Sequence, residues 1–200
     1  MSLDDDAALM QQVARGDRAA FARLFDRHQA AVVRFCARSV GDAAVAEELA
    51  QDIFVKVYRS AARYQPTARF TTFLFRVAAN TCLNELRRPA RRAERVAVAD
   101  EDEGPSLQDA TPGGATPLEA LEAREVEAAL RQALAAMTDR ERAAFSLCRF
   151  EGLAYREVAE VLEATEAAVK SLIHRATVRV VLHLDALAAP PTAVPGVAHG

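Results

Sequence analysis

Tryptophan is absent from this chain of 200 residues and aromatics make up only 6% of it, although 51% of the residues are hydrophobic. That imbalance suits a helical protein whose core is built from alanine and leucine. Cysteine is scarce as well. Cys36, Cys82 and Cys148 stand far apart, with neither Cys-x-x-Cys nor His-x-x-x-His spacing, so neither a disulfide framework nor a zinc site is indicated and buried free thiols are expected. No apolar run approaches the length of a membrane span, and Met1 to Met10 is acidic rather than basic and then apolar. No signal peptide is expected, and the protein is expected in the cytoplasm. No nucleophile stands beside a base, no metal ligands are paired and no glycine-rich phosphate loop occurs. The expectation is therefore a non-enzyme with no cofactor, no metal and no small-molecule substrate.

A strong excess of one charge is also missing, since the net charge is -3. The distribution says more than the total. From Ala68 to Val96 seven arginines stand against two glutamates, from Ala97 to Met137 two arginines against nine acids, and from Ala167 to Leu184 three cations against none. Local fields govern binding to phosphates, so two basic segments divided by an acidic one are compatible with DNA binding.

The length allows one or two domains with ample core. Between Val96 and Thr116 the runs Asp100 to Pro105 and Thr111 to Gly114 offer few large apolar side chains. That composition cannot offset ordering entropy, so residues 96–116 are expected to form a flexible acidic linker. The predicted architecture is all-α, with one helical domain over residues 1–95, a second over 117–187, and a disordered tail over 188–200 that carries Pro190-Pro191 and Pro195-Gly196.

In the first domain, Asp4 to Asp6 begins a short helix that Gly16 closes. Asp17 caps a longer one, in which Phe21, Leu24, Phe25, His28, Val32, Phe35 and Cys36 keep helical spacing up to Gly41. His28 on that apolar side reads as a hydrogen-bonded boundary histidine, not a ligand. Asp42 is the next N-cap, and Ala46, Leu49, Ala50, Ile53, Phe54, Val57, Tyr58 and Ala61 form one face of an amphipathic helix. Glu47, Glu48, Gln51, Asp52, Lys56 and Arg59 are left facing outward. Tyr64-Gln65-Pro66 ends the run. After the loop Thr67 to Phe70, Thr71 is the expected cap of a helix running to about Arg88. Arg76, Asn80, Asn84 and Arg87 follow at offsets of four, four and three, within one narrow strip of its surface. Arginines interleaved with carboxamides can bond phosphates and base edges. A polar face without a partner has the same spacing.

In the second domain, Leu118, Leu121, Val126, Leu130 and Leu134 offer an apolar side. Thr138-Asp139-Arg140-Glu141 is a capping box that starts a helix carrying Ala144, Phe145, Leu147 and Cys148, closed by Gly152. Tyr155 to Leu162 reads as a short helix, Glu163-Ala164-Thr165 as a tight turn, and Glu166 onward as a longer helix bearing Val169, Leu172, Ile173 and Ala176. Ala159 is small where two helices of a helix-turn-helix approach, and Val169 packs back on the first. With Thr165 as N-cap, Ala167, Lys170, Ser171, His174 and Arg175 face outward toward a major groove. Lys170, Arg175 and Arg179 suit phosphates or guanines, and Ser171 or His174 suits bases. Helical hairpins in scaffolds share this spacing.

These residues carry a resemblance. Asp42 to Arg59, then Tyr64-Gln65-Pro66, then Phe70 to Arg88 resembles region two of the extracytoplasmic-function sigma factors, small bacterial initiation subunits of RNA polymerase. The shared features are the Glu47-Glu48-Leu49 run with Gln51-Asp52, the aromatic loop, the asparagine in a short apolar helix and the closing Arg87-Arg88. Thr138 to Leu184 resembles sigma region four through Asp139-Arg140-Glu141-Arg142, Glu151-Gly152-Leu153, Val169-Lys170-Ser171 and His174-Arg175-Ala176.

The resemblance implies an alternative sigma factor that binds core RNA polymerase and directs promoter-specific initiation by recognising and melting promoter DNA. Glu47, Glu48, Gln51, Asp52 and Lys56 would meet the clamp of the largest polymerase subunit. Arg69, Phe70, Thr72, Arg76, Asn80, Asn84, Arg87 and Arg88 would capture unpaired bases of the minus-ten element, with Phe70 a stacking surface. Thr165, Ala167, Lys170, Ser171, His174, Arg175 and Arg179 would read the minus-thirty-five element as duplex. The linker would thread toward the nascent RNA. An anti-sigma factor is an implied partner, and one anchored in the inner membrane would hold the cytoplasmic chain there. The alternatives are a stand-alone helix-turn-helix regulator and a helical scaffold. Three positions depart from the family: Glu163 stands where glycine is usual in the turn, Ala154 where a capping serine is, and Leu172 where arginine is common.

Overall fold

The computed structural model describes residues 4–88 and 116–188, and these form eight α-helices with one short 3-10 turn and no strand. In the first half, α1 (Asp4–Ala14), α2 (Arg18–Val40) and α3 (Ala43–Ser60) are followed by the 3-10 turn (Ala61–Arg63) and α4 (Phe70–Leu86). The second half holds α5 (Pro117–Ala135), α6 (Asp139–Arg149), α7 (Tyr155–Leu162) and α8 (Glu166–Ala188). The acidic linker and the proline-rich tail predicted from composition lie outside the described residues, apart from Thr116, which caps α5, and Ala188, which ends α8.

Local chemistry sets most helix ends. Asp17 accepts the amides of Ala19 and Ala20 at 2.9 and 3.1 Å, and Gly41 closes α2 at φ 77°, a left-handed conformation that glycine adopts without steric cost. Asp42 accepts the amide of Val45 at 3.0 Å and starts α3. α4 departs from expectation. It begins at Phe70, with Arg69 at the cap position and no side-chain cap, so Thr71 lies inside the first turn. Burial decides this end: Phe70 is only 1% exposed and sits among Tyr64, Phe73 and His28, whose ring centroids lie 5.4–6.3 Å away. A side chain of that size contributes about 1.5–3 kcal/mol when buried, more than a typical cap at about 1 kcal/mol.

α2 is the centre of the first half and packs on α1, α3 and α4. Leu24, Val32 and Phe35 from α2 meet Ile53 and Val57 from α3 and Leu74 and Phe75 from α4. In the second half α8 lies on α5, α6 and α7. The apolar side expected of α5 is only half used: Leu130 and Leu134 pack, while Leu121 and Val126 stay 53% and 50% exposed. Ala129 and Ala133 are buried instead, because small side chains let α5 approach α8 closely along that stripe.

The halves also pack on each other. α7 and α6 lie against α4, and α6 reaches α2. One apolar cluster runs from Leu9 in α1 to Ile173 in α8. Buried polar contacts accompany it. Arg142 of α6 donates to the Ser39 carbonyl oxygen at 2.7 Å and to that of Met137 at 3.1 Å, and Arg38 pairs with Glu151 while lying 4.3 Å from the Phe150 ring centroid.

Candidate nucleic-acid interface

Three surfaces carry the residues that the sequence singles out. On α3 the buried face is Val45, Ala46, Leu49, Ala50, Ile53, Phe54 and Val57, so the helical period turns Glu47, Glu48, Gln51, Asp52 and Lys56 to the exterior. All five are exposed, and Lys56 additionally donates to the Thr81 hydroxyl on α4 at 3.0 Å. Tyr58, expected on the buried face, is half exposed and stacks edge-on against Phe21 at 5.0 Å. A groove of about 260 Å³ between α3 and α4 is lined by Glu48, Asp52, Lys56, Asn84 and Arg88, so the acidic face runs directly into the end of α4.

α4 shows the strip its spacing predicts. Asn80, Asn84, Arg87 and Arg88 are exposed and Arg76 is half-buried, while Leu74, Phe75, Ala78, Ala79 and Cys82 face the core. The loop before α4 differs from expectation at two positions. Phe70 lies inside the aromatic cluster, where no base can stack on it, and the side chain of Thr72 is fully buried. A loop aromatic adjacent to a helix start reads equally well as an exposed stacker or as a core anchor, and only the tertiary packing tells them apart. Tyr64 and Phe73, both half-buried, hold the outer positions of that cluster. Arg69 and Thr72 point toward α7, where the Glu157 carboxylate accepts from them at 3.3 and 3.4 Å.

α7, the turn and α8 form a helix-turn-helix. Ala159 and Val169 are buried where the two helices pack, and Glu163 takes the left-handed conformation at φ 50° that lets the Ala164 amide return to the Ala159 carbonyl at 3.0 Å. Ala154 supplies no side-chain acceptor, so only half of a capping box remains there: Glu157 accepts the Ala154 amide at 2.8 Å. Thr165 caps α8 through the Ala168 amide at 3.2 Å. Thr165, Ala167, Lys170, Ser171, His174 and Arg175 are exposed together, and Arg179 is half-buried.

Several polar residues in these surfaces escape local pattern reading. Glu141 reads in sequence only as the glutamate of a capping box, and it does accept the Thr138 amide at 3.1 Å. Its other oxygen receives Arg175 Nε at 2.6 Å, and the oxygen that takes the Thr138 amide lies 3.7 Å from Arg179 Nε. Burial pushes its pKa up, but the bonds from Arg175 and Thr138 outweigh that and hold the carboxyl below its ordinary value of 4.5. Arg38, Arg142 and Glu151 likewise find partners in the other half of the chain, which no spacing rule within one helix detects.

The chain matches two family models, Sigma-70 region 2 over residues 24–92 and Sigma-70, region 4 over residues 127–180. RNA polymerase sigma-H factor of Pseudomonas aeruginosa is 33% identical over 181 residues, which cover 88% of this chain and 92% of that protein. The ECF RNA polymerase sigma-E factor of Haemophilus influenzae is 30% identical, with 86% and 90% covered. Among solved structures, CnrH in complex with the cytosolic domain of CnrY is similar at a TM-score of 0.62 and 25% identity, over 92% of this chain and 99% of CnrH. The sigma factor RpoE, in complex with the anti-sigma factor NepR from Bartonella quintana, shares the fold at a TM-score of 0.63 and 19% identity, with 82% and 96% covered.

Proposed function

Since the chain belongs to the extracytoplasmic-function class of the sigma-70 family and serves as an alternative sigma factor in transcription initiation, we propose that its surfaces divide polymerase docking and promoter reading between them. The acidic face of α3, Glu47, Glu48, Gln51 and Asp52 with Lys56 beside them, docks on the clamp of the largest polymerase subunit. The strip Arg76, Asn80, Asn84, Arg87 and Arg88 with Arg69 captures the unpaired minus-ten strand. The exposed side of α8 enters the minus-thirty-five duplex.

The observation that carries this reading is the continuity of the α3 acidic face with the α4 strip across the groove lined by Glu48, Asp52, Asn84 and Arg88. A polymerase docked on one is adjacent to a DNA strand held on the other. Extruding a base costs a few kcal/mol, and stacking at about 1–3 kcal/mol per base is of the right size to offset it. Phe70 is core in this arrangement, so Tyr64 and Phe73 at the edge of the aromatic cluster take the stacking role. Glu157 sits beside Arg69 and Thr72 where a phosphate would otherwise be, so α7 withdraws from that loop when the strand enters. An anti-sigma factor is the second protein partner, as with the complexed relatives of this fold. A stand-alone regulator would leave the acidic face of α3 without a role.

Runoff transcription with bacterial core polymerase on a promoter pool tests the assignment. Wild-type protein is expected to give specific transcripts that a Glu48→Lys, Asp52→Lys double variant does not. Transcripts unchanged by the double variant would remove α3 as the docking face.

A further inference from the structure

The Glu141 carboxylate does more than cap a helix. It is only 3% exposed, and a capping box engages just one of its oxygens, here with the Thr138 amide. The other oxygen accepts Arg175 Nε at 2.6 Å from a helix 34 residues further along the chain. Nε is the inner nitrogen of the guanidinium. Its use leaves the two terminal nitrogens at the far edge, and among the described residues Arg175 makes no other hydrogen bond. The Arg175 side chain is 53% exposed, so that edge faces solvent on the same side of α8 as Lys170, Ser171 and His174. Arg179, one turn on, points its Nε at the second oxygen of the same carboxylate from 3.7 Å.

An unrestrained arginine has many rotamers to lose on binding, whereas a bidentate contact to guanine O6 and N7 needs a guanidinium held in one plane. A buried anion gripping Nε supplies that restraint before DNA arrives and leaves the end-on fork free. We infer that Glu141 is a positioning residue for promoter recognition, holding Arg175, with Arg179 as a second tie, so that its outer guanidinium edge is preset for one guanine of the minus-thirty-five duplex. This rests on the reading of α8 as the duplex-binding helix.

The test uses holoenzyme assembled from core polymerase and the full chain, with a minus-thirty-five duplex selected from a random pool by the wild type. Each guanine is replaced in turn by 7-deazaguanine, which lacks the N7 acceptor. For the wild type one replacement is expected to weaken binding about 10-fold. Arg175→Ala is expected to weaken the parent duplex by a similar factor and to lose sensitivity at that guanine. Glu141→Gln keeps the capping geometry but not the charge. It is expected to weaken the parent duplex several-fold, to lose most of the same sensitivity, to leave binding of a scrambled duplex unchanged, and to add nothing to Arg175→Ala. Glu141→Asp, which keeps the charge with a shorter reach, is expected to show the same selective loss and serves if the glutamine variant folds poorly.

Full 7-deazaguanine sensitivity in Glu141→Gln, or losses that add in the double variant, would overturn the inference. So would an equal loss on the scrambled duplex, the sign of a merely structural tether. If Arg175→Ala binds normally while Lys170→Ala does not, α8 still reads DNA but the positioning role is gone. If Lys170→Ala, Ser171→Ala and Arg175→Ala are all neutral, the assignment of α8 itself fails and takes the positioning role with it.

Discussion

The Arg142 guanidinium on α6 donates to the Ser39 carbonyl oxygen at the end of α2 across 103 residues of chain, and the bond is buried at 2.7 Å. It ties the second half of the chain to the first at a place where water is excluded. A carbonyl that loses its donor there costs about 1–3 kcal/mol. Arg142→Met keeps much of the volume and strands both the Ser39 and Met137 carbonyls, so it is expected to lower unfolding stability by about 2–4 kcal/mol in urea titrations. A loss below about 0.5 kcal/mol, the size of an ordinary surface change, would mean that the contact between the halves is not held in solution.

On the proposed assignment of the minus-ten loop, Glu157 occupies a place that DNA would take. Its carboxylate engages Arg69 and Thr72 while also accepting the Ala154 amide. Glu157→Gln keeps an acceptor for that amide and removes the charge. Because Arg69 is 44% exposed, its pair is worth only about 0.2–1 kcal/mol, so the free chain is expected to bind a single-stranded minus-ten oligonucleotide about 1.5- to 5-fold more tightly. Fluorescence anisotropy reads the change. Unchanged or weaker binding would show that Arg69 does not meet the strand.

The parts of this molecule legible in sequence are those decided within a few residues. Asp17, Asp42, Thr138 and Thr165 cap the helices they were expected to cap, because each bond closes over two or three residues. The strip of Asn80, Asn84 and Arg87 and the acidic face of α3 follow from helical period alone. Glu163 stood out only through the family resemblance, as a departure from the usual turn glycine, and it does take a left-handed conformation. What sequence misplaced is decided by partners far away. Phe70 looked available for stacking until His28 of α2 closed over it beside Tyr64 and Phe73, and Leu121 and Val126 looked like core until Ala129 and Ala133 were buried in the contact with α8. The pairing of Glu141 with Arg175 joins two residues that each already had a sufficient local reading.

Acid should expose the Glu141 network. Its carboxyl pKa is depressed in the fold, so the stability it contributes is present above the ordinary value of 4.5 and is lost as pH falls through the lower folded value. Comparing urea midpoints from about pH 7 to about pH 3, the gap between wild type and Glu141→Gln is expected to narrow toward the acid end. A gap that stays constant with pH would mean the carboxylate gains nothing from Arg175 and Thr138.

The three thiols should divide by burial. Cys36 on α2 and Cys82 on α4 are buried with their sulfurs 3.6 Å apart, while Cys148 on α6 is half-buried. The hydrogen bond with Cys82 and then burial push the Cys36 thiol far above its usual range, which leaves almost no reactive thiolate. Brief iodoacetamide treatment of native protein is therefore expected to label Cys148 alone, and unfolded protein all three. Native-state labelling of Cys36 would show that α2 and α4 separate readily.

Glu163 offers the cleanest separation of stability from binding. It is the non-glycine residue with positive φ among the described residues, at 50°, and its side chain is exposed. A left-handed L-residue costs roughly 1–2 kcal/mol, and glycine at this helix-terminating position escapes that cost while giving back part of it through a more flexible unfolded chain. Glu163→Gly is expected to gain about 1 kcal/mol, or about 2–4 °C in Tm. Ala154→Ser, at the other end of α7, supplies the missing acceptor for the Glu157 amide and is expected to add a similar and independent increment. Both changes sit beside α8, the proposed duplex-reading helix, and removing Glu163 would then also remove a negative charge from the approach of a duplex. Glu163→Asn distinguishes the two effects. Asparagine tolerates the left-handed conformation and carries no charge, so its DNA affinity should match that of the glycine variant. Its gain in stability should be smaller. If glycine lowers Tm instead, the turn is not held left-handed at this residue, and the close packing of Ala159 against α8 needs another explanation.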